Sequence, residues 1–124
     1  MQYKYSGNFD PPAPVVEVSI SAPLSKVSTS STALVDSGTD ITVIPERIIT
    51  QLKLRRVDSM PVSGFGERVI QATVYSATLE IEGISESKIY RILGWSKDYA
   101  LIGRDLLNQL IAVLNGPSQE LSLQ

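Results

Sequence analysis

The stretch that decides the fold is residues 33–40, whose sequence is ALVDSGTD. An apolar strand ends abruptly at Asp36, and Gly38 follows two positions later, where its backbone permits a tight turn. Such a loop presents a carboxylate beside backbone amides at the end of a strand. It occurs once in the 124 residues. The rest of the sequence must therefore explain how a single carboxylate loop could be used.

The composition narrows the chemistry that the chain can perform. It contains neither histidine nor cysteine, which removes Ser-His-Asp and Cys-His catalysis, the usual zinc ligands and disulfide bonds. Lysine and arginine number 11 and aspartate and glutamate 13, so the formal net charge is -2, with both signs dispersed. No field of one sign would attract nucleic acid or an anionic membrane. Carboxylate, hydroxyl and lysine chemistry remain, and we expect neither a metal nor another cofactor.

Length and hydropathy predict one soluble domain. A chain of 124 residues suits a single core, and no apolar run approaches the roughly 20 residues of a membrane span. Residues 1–6 lack an apolar signal core, and the absence of cysteine favours the cytoplasm. Prolines at the end of the polar segment 1–13 cannot supply a regular ladder of amide donors. We therefore expect an extended arm at 1–13 and one domain at 14–124.

Alternating apolar and polar residues predict that the domain is mostly strand. Residues 16–20 alternate as in a strand with one buried face, and the hydroxyl-rich residues 28–32 continue into the carboxylate loop. Apolar residues at helical spacing predict short helices after Pro45 and Gly103. The helices that we expect cover 46–52 and 104–110, and the further strands lie at 41–44, 68–82, 89–93, 99–102, 111–114 and 120–123.

The carboxylate loop suggests peptide hydrolysis by an activated water. Two close carboxylates can activate water without a metal, because repulsion between their charges keeps one protonated while the other is ionised. One then acts as base and the other as acid. A hydroxyl next to the carboxylate can fix the turn by hydrogen bonding, and Ser37 supplies one. A bare Asp-Ser-Gly is also ordinary turn chemistry, so the interpretation depends on what accompanies it.

Three motifs, in this order, resemble the retropepsin-like aspartic proteases, the single-lobe family that includes the retroviral enzymes. They are DSGTDITVIP at 36–45, GFG at 64–66 in a β-rich stretch, and ALIGRDLL at 100–107. The resemblance covers residues 14–124. It implies an all-β, retropepsin-like acid protease fold, which is a closed or partly open β-barrel with a flap hairpin and one or two short helices. The GFG motif would form the tip of the flap.

The resemblance also implies roles for individual residues. Asp36 would be the catalytic aspartate, and Ser37, Gly38 and Thr39 would support the active-site loop. Asp40 would form an ion pair with Arg104. The role of Arg104 would be structural rather than catalytic, because a guanidinium that stays protonated cannot act as a base. The residues that would contact an extended peptide substrate are Gly38, Asp40, Ile41, Val43, Gly64, Phe65, Gly66 and Leu101.

The second carboxylate is the missing part of this interpretation. No other aspartate is followed by a comparable glycine turn. A two-fold homodimer would place the same Asp36 from each subunit across the axis. The resemblance implies that terminal strands, at 1–14 and 119–124, hold such a dimer together. The expected function is an aspartic endopeptidase that cleaves extended peptides with apolar residues around the scissile bond. The alternative is a catalytically silent domain that dimerises or binds peptides.

Two further motifs suggest other chemistry. Ser85 and Lys88 have the Ser-x-x-Lys spacing of some acyl-transfer enzymes, but no Ser-Asp-Asn or Lys-Thr-Gly element accompanies them. Residues 64–69 begin like a dinucleotide-binding fingerprint, yet the last glycine and the following helix pattern are missing. Both patterns are weaker than the carboxylate loop and its partners.

Overall fold

The computed structural model describes residues 1–63 and 68–124, which form ten strands and two short helices. The strands are β1 (Gln2–Lys4), β2 (Val15–Ser21), β3 (Ser28–Val35), β4 (Val43–Pro45), β5 (Arg55–Ser63), β6 (Val69–Glu80), β7 (Lys88–Trp95), β8 (Ala100–Ile102), β9 (Ala112–Asn115) and β10 (Glu120–Leu123). The helices are α1 (Glu46–Leu52) and α2 (Arg104–Leu107). The sequence-based prediction of a mostly β chain with one or two short helices is confirmed, although the second helix ends at Leu107 rather than at residue 110.

Seven of the strands form one sheet in the order β2-β3-β8-β4-β7-β6-β5. An additional antiparallel pairing of β2 with β6 brings the two sides of this sheet together. The sheet is therefore partly closed into a ring, and β5 extends from β6 as the outer strand of a hairpin. This confirms the predicted retropepsin-like, partly open barrel.

The core lies inside this ring. The alternation of 16–20 becomes β2, in which Val18 and Ile20 are fully buried and Glu17 is exposed. Complete burial of one such aliphatic side chain contributes about 1.5–3 kcal/mol to folding. Helix α1 adds Ile48 to the same core, and Lys53, which follows its last residue, caps it in a left-handed backbone conformation with φ of 52°. No helix in the described part of the chain is long and apolar enough to cross a membrane.

Three strands meet at the point where the carboxylate loop begins. Strand β3 runs parallel to β8, with Val35 opposite Ile102. Strand β4 pairs with β8 from its other side, through Val43 and Leu101. The chain must therefore turn between β3 and β4 around the end of β8. Residues 36–42 make this turn, and Asp36 emerges beside the start of α2.

The β5–β6 hairpin is the longest antiparallel pairing in the described residues. It is bulged between Arg56 and Asp58. The backbone N–H of Ser59 donates to the Asp58 carboxylate (2.8 Å) and Arg91 of β7 forms an ion pair with it; together they lower the pKa of Asp58. The predicted tip at 64–66 lies outside the described residues.

The chain termini form a separate three-stranded sheet in the order β1-β10-β9. The sequence predicted the β9–β10 hairpin but not β1, which is polar and only three residues long. Its strand conformation depends on pairing with β10, where Tyr3 lies opposite Leu121. Residues this far apart in sequence leave no local pattern that would reveal the pairing.

Candidate active site

The carboxylate of Asp36 is held by its own loop. The backbone N–H of Gly38 donates to Oδ1 (3.0 Å), and the hydroxyl of Thr39 donates to Oδ2 (2.8 Å). The backbone N–H of Asp36 donates to the carbonyl of Ile102 (3.0 Å), which fixes the residue to the end of β8. A side chain at position 38 would place its Cβ only 3.2 Å from Asp36 Oδ1. Glycine therefore lets the amide approach the carboxylate closely.

Arg104 joins the first residue of α2 to this loop. Its guanidinium donates from Nη1 to the carbonyl of Ser37 (2.7 Å) and forms an ion pair with the carboxylate of Asp40. Its backbone N–H donates to the carbonyl of Thr39 (2.8 Å). The side chains of Arg104 and Asp40 are 44% and 80% exposed, so the ion pair itself contributes at most about 1 kcal/mol. The hydrogen bonds to the loop backbone fix its path.

A second connection between the loop and α2 involves a buried residue, and sequence reasoning missed it. Thr42 is fully buried; its backbone N–H and its hydroxyl donate to the Asp105 carboxylate at 3.0 and 2.8 Å. The same hydroxyl accepts a hydrogen bond from the N–H of Gly103 (3.1 Å). Asp105 also accepts from the N–H of Leu106 (2.9 Å). Asp105 lies in the first turn of α2, where an acidic side chain favours the helix start, but nothing in the sequence indicates its partner 63 residues away.

A cavity of about 330 Å³ begins at the loop and extends toward the β5–β6 hairpin. Four predicted substrate-binding residues line it together: Gly38, Asp40, Ile41 and Val43. Sequence analysis did not identify the other residues that line the cavity. They are Leu93, which lies on β7 beside Val43, and four residues of β5, which are Met60, Pro61, Val62 and Ser63. The alternation of Met60 and Val62 before the glycine-rich segment is the signal that could have indicated them.

The remaining predicted site residues are placed differently. Leu101 is half-buried in β8 between β3 and β4, and it does not line this cavity. Ser37 is exposed, and its carbonyl rather than its hydroxyl is the group that contacts Arg104. Gly64, Phe65 and Gly66 lie outside the described residues, so their contact with substrate stays a prediction.

The competing Ser-x-x-Lys motif is not assembled as a catalytic pair. The hydroxyl of Ser85 accepts a hydrogen bond from the N–H of Ile81 (2.8 Å) and so stabilises the turn after β6. The ammonium of Lys88 donates to the side chain of Gln109 (2.8 Å). Each group therefore has a structural partner elsewhere.

Comparison with protein families supports the resemblance to aspartic proteases that the loop and the fold suggest. The family model of the retroviral aspartyl proteases matches residues 11–115. The chain therefore belongs to the retroviral aspartyl protease family. A comparison with curated protein sequences gives no significant match.

Solved structures of several proteases are similar to this fold. The simian foamy virus protease is 25% identical; the match covers 73% of this chain and 88% of that one, with a TM-score of 0.55. The EIAV protease in complex with the inhibitor HBY-793 is 22% identical, covering 78% and 86%, with a TM-score of 0.56. A retropepsin-like aspartic protease from Rickettsia conorii is 13% identical, covering 99% and 88%, with a TM-score of 0.60.

Proposed function

We propose that the protein is an aspartic endopeptidase whose active site forms between two copies of the chain, with one Asp36 from each. The observation that carries the proposal is the geometry of the Asp36 loop. Its carboxylate is held by Gly38 and Thr39, and both of these residues also line the adjacent cavity. A carboxylate fixed beside a cleft is what water activation requires. Membership of the family supports the same chemistry.

The reaction needs both carboxylates in different protonation states. Two like charges brought close together retain one shared proton. The ionised Asp36 takes a proton from a water molecule, whose oxygen attacks the peptide carbonyl carbon, while the protonated one donates its proton to the carbonyl oxygen. When the tetrahedral intermediate collapses and the C–N bond breaks, the Asp36 that received the water's proton donates it to the departing nitrogen. A hydroxyl of the intermediate returns a proton to the other Asp36, which restores one proton to the pair. No bond forms between the enzyme and the substrate.

The cavity indicates the kind of substrate that fits. Its lining combines apolar side chains with polar groups. The apolar ones are Ile41, Val43, Met60, Val62 and Leu93, and the polar ones are Thr39, Asp40 and Ser63. Apolar side chains of an extended peptide gain free energy by leaving water for such a surface. A peptide lying as a strand between the loop and the β5–β6 hairpin also gains main-chain hydrogen bonds. The protein therefore cleaves peptides with apolar residues around the scissile bond.

The decisive experiment is Asp36→Asn, assayed with a quenched fluorescent peptide library that is rich in apolar residues. Loss of the carboxylate removes both the acid and the base, so kcat/KM falls by about 10³-fold or more. Asp98→Asn is the matched control, because that exposed carboxylate pairs with Arg47 at the surface. The wild-type profile reaches its maximum at mildly acidic pH, where the shared proton is retained.

Inhibition by a statine-type compound provides an independent readout, since its hydroxyl takes the place of the attacking water. The compound inhibits the wild type and does not bind Asp36→Asn. Retained cleavage in Asp36→Asn, or a rate that rises steadily above neutral pH, would overturn the proposal. A folded Asp36→Asn protein is established by its circular dichroism and thermal unfolding.

A further inference from the structure

Strand β5 contains one residue more than the part of β6 with which it pairs. Arg56 lies opposite Tyr75 and Asp58 lies opposite Val74, so Val57 is an extra residue in this register. Such a bulge changes the direction in which the following side chains point. Because side chains alternate between the two faces of a strand, the bulge decides the face on which each later residue of β5 lies.

The bulge matters for substrate binding because the residues of β5 beyond it line the cavity. Met60 and Val62 are half-buried, whereas their neighbours Pro61 and Ser63 are exposed. By alternation, Met60 and Val62 lie on the same face of β5 as Asp58. A register without the bulge would shift these residues by one position and turn Met60 and Val62 to the opposite face. The register of the hairpin therefore determines which side chains a bound peptide meets.

An ion pair connects the bulge to the other side of the sheet. The Asp58 carboxylate accepts the backbone N–H of Ser59 (2.8 Å) and pairs with the guanidinium of Arg91 on β7. Asp58 lies opposite Val74 and Arg91 lies opposite Ser76, so both side chains are on one face and the ion pair crosses β6. The Ser59 N–H and Arg91 lower the pKa of Asp58, so its carboxylate is ionised at mildly acidic pH.

This ion pair is compatible with only one of the two registers. Without the bulge, Val57 would lie opposite Val74, and Asp58 would lie opposite Thr73. The Asp58 side chain would then be on the other face of the sheet, away from Arg91. The attraction between the two charges therefore favours the bulged register.

We propose that Asp58 and Arg91 are positioning residues for the substrate, and that their ion pair keeps β5 in the register that directs Met60 and Val62 into the cavity. The inference rests on the proposed function, because it concerns the peptide that Asp36 would cleave. Asp58 and Arg91 are not among the described residues that line the cavity, so they act through β5. Asp36 is held by its own loop. Loss of the ion pair therefore raises KM and leaves kcat nearly unchanged.

The first test compares the kinetics of Asp58→Asn, Arg91→Gln and the double variant on an apolar peptide. Asp58→Asn keeps an oxygen that accepts the Ser59 N–H and removes only the charge. Each single change raises KM by about three- to fivefold and leaves kcat within about twofold, as expected for the loss of an exposed ion pair. The double variant is no worse than the single ones, because both changes remove the same interaction.

The matched controls keep the charge or remove a different ion pair. Arg91→Lys retains the positive charge and recovers most of the wild-type KM. Arg47→Gln removes the exposed ion pair between Arg47 of α1 and Asp98 of the β7–β8 loop, which involves neither strand of the hairpin. Its KM and kcat equal those of the wild type.

The second test measures the register without any substrate. The chain contains no cysteine, so introduced thiols form disulfides only with each other. Ser59→Cys with Thr73→Cys joins residues that are opposite each other in the bulged register. Ser59→Cys with Ala72→Cys joins residues that would be opposite each other only in the shifted register. Asp58→Asn raises disulfide formation in this second pair by about three- to fivefold, and Arg47→Gln does not change it.

The two proposals fail in different ways. If Asp58→Asn changes neither KM nor disulfide formation, the role of the ion pair is wrong, and cleavage that is lost in Asp36→Asn still supports the endopeptidase. If Asp58→Asn shifts the register but the wild type neither cleaves peptides nor binds the statine-type inhibitor, the role in register stands and the proposed function is wrong. A fall in kcat as large as the rise in KM would contradict a role confined to the cavity.

Discussion

The carboxylate loop, residues 36–42, and strand β9 differ in where their backbone groups find partners. In the loop, the amides of Asp36, Thr39 and Thr42 are all hydrogen-bonded within the chain. Strand β9 pairs with β10 on one side, no strand within the described residues pairs with its other side, and its valine and leucine side chains are exposed. The backbone of the loop is therefore fixed by contacts within one copy of the chain, whereas one edge of the terminal sheet has no strand partner in the described residues. The loop is the more constrained of the two regions.

The largest effect is expected for Asp105→Ala, which tests whether hydrogen bonds within the chain hold the loop in place. This change leaves the buried hydroxyl of Thr42 and two backbone N–H groups without their acceptor, and it lowers the free energy of unfolding by about 3 kcal/mol. Asp105→Asn is the control, because its amide oxygen still accepts the hydroxyl and costs about half as much. Chemical denaturation measures both. If Asp105→Ala lowers the free energy of unfolding by less than Asp105→Asn does, Asp105 does not support the loop.

Alanine substitutions at two glycines, one beside the carboxylate loop and one in the β9–β10 turn, test how tightly each region is packed. At Gly103 a new Cβ would lie 2.9 Å from backbone atoms of both Thr39 and Ile41, so Gly103→Ala forces the loop to shift and costs about 2 kcal/mol. At Gly116, in the β9–β10 turn, nothing lies within 4 Å of the new Cβ. Gly116→Ala therefore leaves the melting temperature close to that of the wild type. Equal effects at the two positions would contradict the contrast in packing.

A smaller effect on stability than at Asp105 or Gly103 is expected at Arg104, together with a larger effect on catalysis. Arg104→Ala removes an exposed ion pair and one hydrogen bond to Ser37, and stability falls by about 1 kcal/mol. Because the Asp36 turn loses its external support, kcat falls by about tenfold. Arg104→Lys retains the charge but cannot reach both partners, so it recovers stability more than kcat. If kcat and stability fall in parallel in both variants, the guanidinium has no separate role in positioning the loop.

The elements that could be predicted from the sequence are those that depend on residues close together in the chain. Alternation along 16–20 identified a buried strand, and helical spacing after Pro45 identified α1. The carboxylate loop could be predicted because its hydrogen bonds join residues two and three positions apart, from Gly38 and Thr39 to Asp36. The order of the motifs indicated the family, which the match over 11–115 shows.

What the sequence determined by itself is the chemistry available to one copy of the chain: a single carboxylate on a glycine turn, with no histidine or cysteine to replace it. Tertiary structure decided the strand conformation of β1 and the hydrogen bond from Thr42 to Asp105. It also decided which residues of β5 line the cavity. It also placed β10 between β1 and β9, so that within the described residues no strand pairs with the outer edge of β9. These features join residues far apart in sequence, and composition and periodicity carry no record of such pairings.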